Sequence, residues 1–172
     1  MGRRLLRAVV KSIERTSEWT GKVVSWLMVI LVLEVSYDVI LRYAFNKPTV
    51  WSYDISYMLA GTIIMLAAAW VLLIDGHISL DVISNKFPTR LRLYLDLIFF
   101  VICFFPLIYL LLRHSINVTV TGVSVFERSN VSYWRTPIWP FRIIITAGFL
   151  LLLVQGVASF VRKLFLLMGR EL

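Results

Sequence analysis

Four stretches of the chain are long and apolar enough to cross a bilayer, and that leaves few folds open. A hydrocarbon core of about 30 Å takes about 20 apolar residues of helix, and runs of this kind occupy about 23–43, 55–74, 91–112 and 143–161. The runs are continuous and lack the period-two alternation of a membrane β-barrel strand, so helices are the expected spanning elements. Of the 172 residues, 59% are hydrophobic and 16% charged, whereas soluble domains carry about 25% charged residues. A water-soluble enzyme of this size could not bury so much apolar surface. The expected fold is all-α and integral to the membrane, a single domain over 1–172 with four transmembrane helices.

The basic residues give a direction. With four spans both termini lie on one side, and twelve Lys and Arg fall there against six on the other. The positive-inside bias then places both termini in the cytoplasm. The formal charge of +8 is spread over these flanks rather than gathered into a patch, so no nucleic-acid partner is expected. Residues 1–20 read as an amphipathic interfacial helix resting on the lipid bilayer, with Leu6, Val9, Val10 and Ile13 on one face and Arg7, Lys11, Glu14, Arg15 and Glu18 on the other. Trp51, Tyr53, Tyr57, Tyr133, Trp134 and Trp139 mark the outer boundary, and Trp19, Trp26 and Trp70 the inner one. A lone Cys103 allows no internal disulfide and no CxxC pair.

Charged residues inside a span need a partner or a wet surface. Glu34 and Asp38 share a helical face with Arg42 one turn further on. They read either as a proton or cation relay or as an ion-paired stripe in the outer third of the helix, and Glu34 would be satisfied by a polar contact with another membrane subunit. Asp54 opens the second span, where a carboxylate meets the positive end of the helix dipole. Arg92 and Asp96 are spaced as an i, i+4 surface pair, and Pro106 is expected to kink the third span. His77 and His114 end spans of opposite direction and so cannot ligate one haem between them; no cofactor is expected. Small or weakly polar residues at Gly61, Ala68, Gly148 and Gln155 suit close helix packing, within the chain or against another subunit. The outer loop, taken as 114–140, gathers Glu127, Arg128, Tyr133, Trp134, Arg135 and Trp139, a mixture fitted to an outer-surface contact or to lipid.

The order of these residues resembles a known family, the small membrane subunit of TRAP (tripartite ATP-independent periplasmic) transporters, the DctQ type. The likeness is carried by Arg42, Tyr43, Phe45 and Asn46 with Pro48, by Trp51 and Asp54 opening the second span, and by Gly76, His77, Ile78 and Asp81 after it. Many members have Glu where Asp54 stands. The resemblance implies a non-enzymatic subunit of a sodium-coupled importer in the bacterial inner membrane, taking organic acids or related solutes from a periplasmic binding protein. Its partners would be that protein and a large multi-span subunit of the elevator type, which would hold the sodium and substrate sites. Glu34, Asp38, Gly61, Ala68, Gly148 and Gln155 are then candidates for the subunit interface, and Arg42, Asp54, Arg128 and Arg135 for docking the binding protein. The alternative is a small four-span proton-coupled exporter, dimeric and working through Glu34.

Overall fold

The structure, a computed structural model, describes residues 2–74, 89–130 and 132–168. Helix α1 (Gly2–Ala44) is followed by α2 (Ser52–Leu73), α3 (Thr89–Phe99), a π-helical turn (Phe100–Phe104), α4 (Phe105–Ser124) and α5 (Trp139–Leu167). The described residues contain no β-strand beyond an isolated bridge between Arg128 and Pro137. Among the described residues, four helical stretches have the length and composition to cross a membrane: Arg7–Ala44, Ser52–Leu73, Leu93–Ser124 and Trp139–Leu167. All-α architecture with four apolar helices is therefore as the sequence requires. His77 and Asp81 lie outside the described residues.

Two boundaries differ from expectation. Residues 2–20 do not form a helix of their own: α1 runs unbroken for 43 residues, about 64 Å at 1.5 Å per residue. Its buried positions Val10, Ser17, Gly21 and Val24 continue one stripe into the partly buried Leu27, Leu31 and Glu34, so a single seam serves both halves. Ser17 donates to Gln155 (2.8 Å) and Glu14 pairs with Arg162 (3.5 Å), which fasten the first half of α1 to α5. The second difference is in the third span. It continues past Leu112 to Ser124, so the connection expected at 114–140 shrinks to 125–138. Hydropathy falls at Arg113, but Ser115 and Thr119 hydroxyls bond the Thr146 hydroxyl (2.6 and 2.8 Å) and hold the extra turns on α5.

α5 is the central helix. It contacts α1, α2, α3 and α4, while α1 reaches the bundle mainly through α2. Leu72, Phe100, Ile108 and Leu152 form the buried core, with Ala68, Phe104, Phe105, Leu153 and Phe160 packed around it. The π turn sits in this core for a local reason: Pro106 has no N–H to give to the carbonyl of Ile102 and its ring crowds that carbonyl, so the ladder widens before it. The Phe105 N–H reaches back five residues to Phe100. The rings of Phe100, Phe104 and Phe105 meet one another, and those of Phe100 and Phe105 also meet Phe160, at centroid distances of 5.0 to 6.3 Å.

Several small residues are filled from inside the chain. A Cβ on Gly61 would stand 2.5 Å from the Phe141 ring, and one on Gly148 would stand 2.8 Å from Met65 Cβ and 3.1 Å from its carbonyl oxygen. Gln155 has no exposed surface. Gly61, Gly148 and Gln155 thus take part in internal helix packing, and Ala68 packs against the core.

Candidate functional site

The polar residues gather at two ends of the bundle. At the loop end, α1 stops at Ala44; just beyond it Asn46 takes a φ of 51°, and the Lys47 N–H turns back to the Leu41 carbonyl (3.0 Å). Asn is among the few residues that accept this left-handed conformation. The reversal brings the start of α2 beside the last turns of α1, with Trp51 stacked on Tyr37 (6.4 Å).

This register supplies partners for Glu34 and Asp38, the two carboxylates in the last turns of α1. Glu34 accepts from Ser52 and Ser56, each at 2.5 Å. Asp38 is bonded by Arg42 (2.7 Å) and by the backbone N–H (3.3 Å) and hydroxyl of Thr49. The pair reads as the stripe rather than the relay: each acid is held by fixed donors from the same chain. Glu34 therefore does not need another subunit to satisfy it.

Asp54 is buried in the first turn of α2, only 3% exposed. Thr136 donates to it at 2.8 Å, Ser132 donates to the same oxygen, and Ser129 lies 3.5 Å from the other. Three hydroxyls of the 125–138 connection thus converge on one carboxylate, which sits where the helix dipole favours negative charge. The observed contacts of Asp54 tie the loop to α2. Arg42, Arg128 and Arg135 are exposed at this end. Tyr43 and Phe45 are exposed too.

The same loop is fixed a second time. Arg142 of α5 pairs with Glu127 (2.5 Å) and donates to the Val118 carbonyl (3.0 Å). Gly122 makes room for this, since a Cβ there would lie 3.0 Å from both Arg142 Cδ and a Glu127 carboxylate oxygen. Neither the Arg142–Glu127 pair nor the Ser/Thr ring was foreseen from sequence. The signal for the ring was the cluster of hydroxyl residues in 129–136.

At the opposite end Lys163 pairs with Asp96 (2.6 Å) and lies over the Phe100 ring (5.6 Å). Arg92, the partner that spacing suggests for Asp96, has its side chain outside the described residues. Among the described residues no three His, Cys, Asp or Glu come together as a metal site.

Residues 31–166 match the family model described as Tripartite ATP-independent periplasmic transporters, DctQ component. The chain belongs to the DctQ family. Comparison with curated proteins and with solved structures gave no match. As a DctQ component the chain is a multi-pass, non-catalytic small subunit of a TRAP transporter. The matched region contains Glu34, Asp38, Asp54 and both loop-end clamps, and it begins after the part of α1 that carries Ser17 and Gly21. DctQ membership removes the support for a self-contained exporter built on Glu34.

Proposed function

We propose that this DctQ chain is the scaffold subunit of a sodium-coupled importer in the bacterial inner membrane, anchoring and stabilising a large elevator-type subunit. That subunit would receive an organic acid or related solute from a periplasmic binding protein and hold the sodium and substrate. Both termini would face the cytoplasm, as the twelve-to-six distribution of basic residues argues. One observation supports the scaffold role above others: Glu34, Asp38, Asp54 and Asp96 are each occupied by hydroxyls or cations of the same chain. A carrier must release and rebind its ion, and carboxylates already held by fixed internal donors are suited to rigidity instead. Exposed Arg42, Arg128 and Arg135 at the loop end remain the candidates for docking the binding protein.

The test is uptake of the cognate solute in cells expressing all three components. Deletion of this chain is expected to abolish uptake, and Glu34→Gln to leave most of it, since the amide keeps an acceptor for one of the two serines. Proton-gradient-driven transport by this chain alone in liposomes, lost in Glu34→Gln, would overturn the scaffold reading. A reporter fused at the C-terminus is expected to be active only as a cytoplasmic domain.

A further inference from the structure

Helix α4 carries polar residues on the side turned away from its own bundle. Ile108, Ser115 and Gly122 are buried on the bundle side, and at 100° per residue the opposite side holds Arg113, Asn117, Thr121 and Ser124, with His114 beside them. All five are exposed. Thr121 and Ser124 satisfy their hydroxyls on backbone carbonyls of their own helix. Arg113, His114 and Asn117 have no side-chain partner among the described residues, and the acids of the loop end are bonded elsewhere.

The register with α5 gives their depth. Arg142 and Arg162 stand twenty residues apart on α5 with no charge between them, which is about 30 Å of helix and matches a hydrocarbon core. Ser115 bonds Thr146, four residues inside Arg142 and so roughly 6 Å below that boundary. Arg113 lies two residues deeper, at roughly 9 Å, with Asn117 near 3 Å. Snorkelling to the nearer headgroups is opposed by helix geometry. Side chains leave the helix tilted toward its N-terminus, and the N-terminus of α4 points to the bilayer interior, so the Cα–Cβ bond of Arg113 leans deeper.

We infer that this face of α4 is a contact with the large membrane subunit, and that the partner presents a transmembrane helix bearing a carboxylate opposite Arg113. The inference rests on the scaffold reading above. A guanidinium at this depth, with an imidazole and an amide beside it toward the boundary, selects an acid flanked by hydrogen-bond acceptors, whereas lipid tails would leave the Arg113 guanidinium unsatisfied.

The experiment uses the full chain expressed with its large subunit in native membranes. A photo-crosslinking residue in place of Asn117 is expected to join the large subunit, and one in place of Ile30, on the exposed side of α1, is not. The combined change Arg113→Leu, His114→Leu and Asn117→Leu makes the helix more apolar, so membrane insertion is favoured, and is expected to lower recovery of the large subunit about tenfold. Full recovery with the triple-Leu chain, or crosslinking at Asn117 only to lipid or to a second copy of this chain, overturns the inference and leaves the scaffold reading standing. Failure of the unsubstituted chain to recover any large subunit overturns both.

Discussion

Asp54 shows most plainly how a single side chain organises the loop end. Its carboxylate is the common acceptor for Ser129, Ser132 and Thr136, and loss of an acceptor leaves buried donors without a partner. Asp54→Ala is expected to cost about 1–3 kcal/mol, seen as a lower melting temperature in detergent and as faster tryptic cleavage at Arg128 and Arg135. Asp54→Asn, which keeps one carbonyl oxygen, should fall between it and the parent. A second pair tests the first half of α1. Gln155→Leu leaves Ser17 unpaired and should destabilise by about 1 kcal/mol, and adding Ser17→Ala should recover part of that loss; strictly additive changes would deny the contact. The sequence made Glu34, Asp38 and Arg42 legible as one face because that depends only on spacing along a helix. Ser52, Ser56 and Thr49 were not legible as their partners, since those pairings depend on how the 45–51 reversal sets α1 against α2.

The helices differ in how far hydropathy reveals them. α2 was nearly complete in the sequence because its ends coincide with changes in composition, whereas α5 was read as 143–161 and extends to Trp139–Leu167, past Arg162 and Lys163, which pair with Glu14 and Asp96. α4 was shortened because Arg113, His114, Ser115 and Asn117 read as loop, yet Ser115 and Thr119 bond α5 and Gly122 admits Arg142. α1 was divided because its first half is charged, yet Val10, Ser17 and Gly21 face the bundle. Pro106 announced a distortion, which takes the form of the π turn. Packing between elements is testable at Gly148, where an added methyl would meet Met65 backbone as well as its side chain. Gly148→Ala is expected to destabilise by about 1–3 kcal/mol. Gly61→Ala should cost less, because the opposing Phe141 ring edge can shift. Thermal unfolding of both variants in one detergent checks the order.

At the scale of the molecule, the bundle leaves many of its large apolar side chains exposed among the described residues. Such a surface is stable in lipid or against another membrane protein, and the family match supplies the transporter that contains one. The central claim is that this chain holds the large subunit and does not itself carry solute. The most direct measurement is the mass and stability of the complex purified from membranes through a tag on this chain, together with survival of the large subunit when this chain is deleted. The account predicts a 1:1 complex and a large subunit that is lost or unstable alone. A large subunit that accumulates and transports normally without this chain would contradict it.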